Sequence, residues 1–79
     1  NALNARFDSR SNAKAYMTLT TREREIFALL TKSKSVKQIS QTLSRSARTI
    51  EQHKKNIYKK MEVNTLAQIL HIAKILQIG

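Results

Sequence analysis

Residues 35–61 read SVKQISQTLSRSARTIEQHKKNIYKKM, and this stretch decides the fold. Apolar residues recur at helical spacing in both of its halves. They are Val36, Ile39 and Leu43 in the first half, and Ala47, Ile50, Ile57 and Met61 in the second. Each set predicts a helix with one buried stripe. Because only Leu43–Ser46 remain for the connection, we predict a short helix, a tight turn and a longer helix, which is the helix-turn-helix arrangement.

Capping chemistry predicts where the helices begin. In a capping box, a Ser or Thr hydroxyl and a Glu or Gln side chain three residues later each bond a backbone N–H that would otherwise have no partner. Three such pairs occur, namely Thr20 with Glu23, Ser35 with Gln38 and Thr65 with Gln68. Ser46 is the expected N-cap of the longer helix. With no proline and a single glycine at the last position, the chain does not favour hairpins. We therefore predict an all-α domain of four helices.

The first and last of these helices also carry apolar residues at helical spacing. The first offers Ile26, Phe27 and Leu30, with Leu19 just before it. In the last helix we expect Leu66, Ile69, Leu70, Ala73 and Leu76 to face the core. The other sides of this helix then carry three further isoleucines, Ile72, Ile75 and Ile78. Such surplus apolar surface predicts a partner. We expect homodimerisation there; packing against the N-terminal segment or an absent domain is the alternative.

Residues 1–18 differ in composition from the rest. They are rich in Asn, Ala, Ser and Arg, and their apolar residues form no clear stripe, so we expect a flexible N-terminal arm or linker before a domain over residues 19–79. The absence of cysteine excludes disulfides and thiolate metal sites. No apolar run approaches the ~18 residues that span a bilayer, and no signal peptide is recognisable, so we expect no membrane association.

The charge is strongly positive. Fifteen Lys and Arg residues against five Asp and Glu give a formal net charge of +10, which favours nucleic acid as a partner and an anionic membrane second. On a helical projection centred on Ile50, Ile57 and Met61 fall within about 20° of the buried stripe. The opposite side carries Arg48, Gln52, Lys55 and Lys59, flanked by Thr49, Asn56 and Lys60 on one side and Glu51 on the other.

Such a face suits a helix in the major groove. Lys and Arg can pair with phosphates or guanine, and Gln can pair with adenine through two hydrogen bonds. The alternative is that these charged residues form an ordinary solvent-exposed helix face with no role in binding. His53 lies at the edge of the core, where packing is a better explanation than metal binding. We expect no metal, no cofactor and no enzymatic activity, because no nucleophile–base arrangement or glycine-rich phosphate loop occurs.

The residues resemble the LuxR/GerE-type DNA-binding domain over about 19–73. The resemblance rests on Leu19-Thr-Thr-Arg-Glu-Arg-Glu-Ile-Phe-Ala-Leu-Leu30, Lys37-Gln-Ile-Ser40, Leu43, Ser46-Ala-Arg-Thr-Ile-Glu-Gln-His53, Asn56-Ile57 and Lys60-Met61-Glu-Val63. It implies base reading by Glu51, Gln52 and Lys55. It implies backbone contacts by Lys37, Ser46, Arg48, Thr49, Asn56 and Lys59. Glycine is usual in this family at the positions of Ser33 and Glu62, so we expect the first helix to end without a left-handed residue.

The resemblance also implies a context. Such a domain usually closes a bacterial transcriptional regulator of the NarL/FixJ or quorum-sensing type, so we expect double-stranded DNA, a second copy of the chain and RNA polymerase as partners. An N-terminal receiver or sensor domain would lie outside this chain, and the location would be the cytoplasm, at the nucleoid. A sigma-factor-like promoter-contacting domain is the near alternative. A basic protein-interaction or membrane-surface module is the more distant one.

Overall fold

The computed structural model describes residues 9–77, which form five α-helices and contain no strand. The all-α prediction is confirmed, and the last four helices are the four predicted from the sequence. The helices are α1 Ser9–Met17, α2 Thr21–Thr31, α3 Val36–Leu43, α4 Ala47–Met61 and α5 Leu66–Leu76.

Each of the four predicted helices begins at the N-cap that the sequence indicated. All three capping boxes form, at Thr20, Ser35 and Thr65. In the first box, the Glu23 N–H donates to Thr20 Oγ1 (3.1 Å) and the Thr20 N–H donates to Glu23 Oε1 (2.9 Å). Ser46 caps α4 by accepting from the Thr49 N–H. These local bonds satisfy backbone donors at the helix starts, so the boundaries follow from nearest-neighbour chemistry.

The core forms where the apolar stripes of α2–α5 meet. α3 packs on α4, while α4 and α5 both pack on α2, which makes α2 the common support. The side chains that are completely shielded from solvent are all large and apolar: Ile26, Phe27, Ile39, Ile50, Ile57, Ile69 and Ile72. Burying each such side chain contributes about 1.5–3 kcal/mol, so these contacts fix how the helices are rotated. Ala47 was predicted in the stripe but is exposed, because it is the first residue of α4.

The prediction of a flexible arm is wrong for residues 9–17, which form α1 and pack on α4 and α5. The Tyr16 ring meets the Phe27 ring edge-on, with centroids 5.3 Å apart. The Arg24 guanidinium lies 5.4 Å from the centre of the Tyr16 ring and donates to the Met17 carbonyl. Asn12 is also buried. Because α1 attaches through a few mixed side chains, it leaves no apolar stripe in the sequence.

The predicted orientation of α5 also needs correction. Ile72 was expected at a dimer interface but is completely buried in the core of its own chain. Leu66 was expected in the core but is 36% exposed. The reason is that α1 and α2 both contact α5, so a wider and differently centred face of the helix is buried. Ile75 is half-buried, and Ile78 lies outside the described residues.

Three helices end at a non-glycine residue in the left-handed conformation, namely Ser44 after α3, Glu62 after α4 and Gln77 after α5. Ser33, two residues beyond α2, has a φ of 61°. The expectation that a left-handed residue would be missing there is therefore wrong. A left-handed residue with a Cβ atom costs about 1–2 kcal/mol relative to the right-handed form, so these positions hold strain.

We expect Glu62→Gly to be more stable than Glu62→Ala by about 1 kcal/mol. Both variants remove a carboxylate from the C-terminal end of α4, where the helix dipole disfavours negative charge. Only glycine also removes the Cβ atom at a φ of 56°. Urea denaturation of the two variants compares their free energies of unfolding. Equal stabilities would show that the left-handed backbone at residue 62 is not strained.

An ion pair between a buried carboxylate and a half-buried lysine joins the end of α4 to the start of α2. Lys60 Nζ lies 2.7 Å from Glu23 Oε1, and Glu23 is only 4% exposed. Lys60 Nζ also donates to the Thr18 carbonyl at 3.4 Å. Burial raises the pKa of Glu23, but hydrogen bonds from Lys60 and Thr20 lower it, and the net pKa lies below the ordinary value of 4.5.

This pKa shift predicts acid sensitivity. Because native Glu23 binds fewer protons than the unfolded chain does, its contribution to the free energy of unfolding is present above about pH 5. It is lost as the pH falls through the folded pKa below 4.5. We expect the free energy of unfolding of Glu23→Gln to change less with pH below pH 5 than that of the unmutated chain. Urea denaturation at a series of pH values measures this difference.

Glu25→Gln is the matched control for Glu23→Gln. Glu25 pairs with Arg22 on the same helix, but both side chains are exposed, so this substitution should change the profile little. If Glu25→Gln flattens the profile as much as Glu23→Gln does, the Lys60–Glu23 pair is not the source of the acid sensitivity.

Candidate nucleic-acid interface

The connection between α3 and α4 is short and well ordered by backbone hydrogen bonds. α3 ends at Leu43, Ser44 takes the left-handed conformation, and the Arg45 N–H donates to the Ser40 carbonyl at 2.9 Å. Ser46 then caps α4. The two helices are therefore joined by three residues and packed on each other, as the sequence predicted for a helix-turn-helix.

The side of α4 opposite its buried stripe faces solvent. We call this side the outer face of α4 and define it by Arg48, Gln52, Lys55 and Lys59, all of which are exposed. Ile50 and Ile57 on the other side are completely buried, so the rotation of the helix is fixed. The helical projection therefore predicted correctly which side chains the domain presents.

The other predicted contact residues lie on the same helix-turn-helix. Of the nine residues predicted to contact DNA, eight are exposed and one, Asn56, is half-buried; beyond the outer face they are Lys37, Ser46, Thr49, Glu51 and Asn56. Lys37 lies on α3 and the rest lie on or at the cap of α4. These residues therefore belong to the two packed helices of the helix-turn-helix. Their contacts with DNA stay a prediction.

Two hydroxyl groups meet at the start of α4. Ser46 Oγ lies 2.9 Å from Thr49 Oγ1 and accepts from the Thr49 N–H at 3.2 Å. The N-terminal end of a helix carries a partial positive charge and favours anions. Arg48 is exposed in the same turn. This end of α4 is therefore chemically suited to a phosphate group.

Lys54 and Lys60 belong to α4 but not to its outer face. The Lys54 ammonium lies 5.6 Å from the centre of the Tyr58 ring, which is a favourable cation–π arrangement. Lys54 and Tyr58 are both half-buried. Burial raises the pKa of Tyr58. Lys60 was expected on the flank of the polar face, but it pairs with Glu23. The positive charge presented to solvent by α4 is therefore concentrated on the four-residue outer face.

His53 is half-buried at the edge of the core, as the sequence predicted. Its Nδ1 atom is buried and has no hydrogen-bond partner in the structure. Across residues 9–77, no three His, Cys, Asp or Glu side chains come together in a way that could hold a metal ion.

Sequence reasoning missed two cations beside α3. Lys34 lies in the loop before α3, and Arg45 lies in the turn after it; both are exposed. The signal that could have found them is the absence of any Asp or Glu between residues 26 and 50. Of the nearby acids, Glu23 and Glu25 are paired with cations, Glu62 follows the end of α4, and Glu51 is the carboxylate beside the outer face of α4.

These features define a class of protein. A short helix, a three-residue turn and a long helix with an exposed cationic face make up a helix-turn-helix nucleic-acid-binding domain. Residues 17–73 match the model of the family described as bacterial regulatory proteins, luxR family. The chain belongs to this family of DNA-binding transcription regulators.

Similar proteins share this regulatory character. The transcriptional regulatory protein MctR of Rhizobium johnstonii is 40% identical over 55 residues, which are 70% of this chain and 26% of that protein. The transcriptional activator protein BglJ of Escherichia coli is 39% identical over 59 residues, 75% of this chain and 26% of that protein. The uncharacterized response regulatory protein YgeK of Escherichia coli is 38% identical over 55 residues, 70% of this chain and 37% of that protein.

The chain spans about a quarter to just over a third of the length of these relatives. No solved structure matches it significantly. Among residues 9–77, no helix combines the length and the apolar character needed to cross a membrane.

Proposed function

We propose that this chain binds specific sequences of double-stranded DNA as the effector domain of a bacterial transcription regulator, with α4 in the major groove. The observation that carries the proposal is the exposed outer face of α4, with Arg48, Gln52, Lys55 and Lys59 directly opposite a completely buried stripe. A helix of this kind fits the major groove and can present its side chains to base edges.

The residues divide into two roles. Gln52 and Lys55 read bases, because an amide suits adenine and an ammonium suits guanine, and Glu51 is a third reader that suits the cytosine amino group. Arg48 and Lys59 position the helix on phosphates. The remaining phosphate contacts come from Lys37, Ser46 and Thr49.

Lys34 and Arg45 extend the phosphate-binding surface beyond the predicted residues. They bracket α3, the helix that crosses the DNA backbone in this type of domain. No acidic residue occurs from 26 to 50, so nothing on this segment repels phosphate. These two cations add affinity without sequence preference, because phosphate contacts are the same at every base pair.

The proposed dimer forms through α5. Leu66 is 36% exposed, Leu70 is half-buried, and the two side chains lie one turn apart on the same side of the helix. This pair replaces Ile72 in the predicted interface, whereas Ile75 lies about 180° from Leu66 around the helix and does not share its side. A symmetric dimer reads two half-sites about one helical turn apart, so sequences selected by the chain should contain two half-sites about 10 base pairs apart. A single isolated half-site would contradict the dimer.

The relatives support a regulatory role. They include proteins named as a transcriptional activator and a response regulator. Such a role implies work on the chromosome in the cytoplasm, contact with RNA polymerase and control by a receiver or sensor domain elsewhere in the polypeptide. The family match favours this proposal over a sigma-factor-like domain.

The division of roles is tested by selecting binding sites from random duplex pools. Lys55→Ala should relax the preference at one base position, at a cost of about 1–3 kcal/mol there. Lys37→Ala should weaken binding to all sequences alike and leave the selected sequence unchanged. The readout is the selected sequence and the Kd for fixed duplexes.

Lys14→Ala serves as the charge-matched control, because Lys14 is exposed on α1, outside the helix-turn-helix. It should leave the selected sequence unchanged. It should change the Kd by no more than about twofold, because a distant surface charge is largely screened by salt. If Lys55→Ala and Lys37→Ala have the same effect, α4 is not the sequence-reading helix.

A further inference from the structure

The outer face of α4 contains one side-chain hydrogen bond that the proposed roles do not use. The Gln52 Nε2 donates to Asn56 Oδ1 at 3.3 Å, one helical turn further along. Gln52 is exposed, whereas Asn56 is half-buried against the domain. The more restricted side chain therefore holds the more exposed one.

This bond determines what the Gln52 amide can offer a ligand. A glutamine amide has two N–H donors and one carbonyl acceptor. One N–H is donated to Asn56, which leaves one N–H and the carbonyl oxygen. Adenine presents an acceptor at N7 and a donor at N6 in the major groove. The remaining pair of groups is thus the pair that adenine requires.

With Asn56 Oδ1 turned toward Gln52, as in the structure, the bond also favours one order of these two groups. Without a partner, the amide of an exposed glutamine can rotate by half a turn about its last torsion, which exchanges the oxygen and the nitrogen. Only one order aligns the N–H with N7 and the oxygen with the N6 amino group. The opposite order places the NH₂ group where it can donate to other acceptors, such as guanine O6. Holding the nitrogen at Asn56 therefore removes one competing orientation.

We propose that Asn56 is a positioning residue that orients the Gln52 amide, so that the chain prefers adenine at the base pair facing Gln52. This inference rests on the proposed function, because it requires α4 to lie in the major groove. It differs from the role that the family resemblance implies for Asn56, which is a contact with the DNA backbone. A backbone contact changes affinity for all sequences, whereas a positioning residue changes the ratio of affinities between bases.

The experiment measures that ratio. Binding sites are first selected from random duplexes with the 79-residue chain, and the position whose preference disappears in Gln52→Ala is identified. The Kd is then measured for four duplexes that differ only in the base at that position. We expect adenine to be preferred by roughly five- to hundredfold, the range for a good bidentate contact. Asn56→Ala should reduce this preference roughly two- to tenfold, as expected when one ordered side chain is released.

Two variants separate positioning from phosphate contact. Asn56→Asp keeps an acceptor oxygen at the same place but adds a negative charge, so it should weaken binding to all four duplexes and keep their ratio. In a Gln52→Ala background, Asn56→Ala should have no further effect on the ratio. Thermal unfolding checks that the variants fold; alanine favours helix, so Asn56→Ala should remain folded.

Three outcomes would overturn the inference. Asn56→Ala could weaken binding to all four duplexes by the same factor, which would make Asn56 a backbone contact. Gln52 could prove to face a preferred base other than adenine. An unmutated chain that selects no sequence would overturn the proposed function together with this inference, and that failure is visible before any variant is compared.

Discussion

The burial of the α4 stripe against α2 and α3 is the contact on which the rest of the structure depends. Ile50 and Ile57 are completely buried, and a helix with two such anchors seven residues apart cannot rotate about its axis without exposing them. This constraint determines which side of α4 faces solvent. The ion pair between Lys60 and Glu23 acts at the end of the same helix and ties it to the first capping box. Binding chemistry on the outer face thus depends on apolar packing behind it.

Much of this fold could be predicted from the sequence because the deciding interactions are local. N-caps act over three residues, so Thr20, Ser35, Ser46 and Thr65 marked the helix starts correctly. The buried side of α4 followed from a helical projection. By contrast, the true core face of α5 depends on α1, a helix attached through the Tyr16–Phe27 ring contact and a buried Asn12. Such contacts between distant segments have no periodic signature, and Ile72 was misplaced for that reason.

The same distinction applies to the candidate interface. Exposure of Arg48, Gln52, Lys55 and Lys59 follows from the period of the helix, and the sequence predicted it. The helical period does not determine where the end of a long side chain lies or which group it pairs with. The pairing of Lys60 with Glu23 joins residues 37 apart in sequence. The Gln52–Asn56 hydrogen bond could not be predicted either, because it depends on the rotamers of the two side chains. Ser33 and Glu62 are left-handed at positions where the family usually has glycine, although Ser and Glu do not themselves favour that conformation.

We propose that the cationic surface of α3 and α4 contacts the phosphates of duplex DNA. The most direct measurement is the affinity of the chain for one fixed duplex over a series of salt concentrations from about 50 to 300 mM, a range over which counterion release is easily resolved. If each subunit neutralises about four to six phosphates, the log of the binding constant should fall against the log of salt concentration with a slope of about −4 to −5. Binding that does not change with salt would show that this surface does not neutralise phosphates.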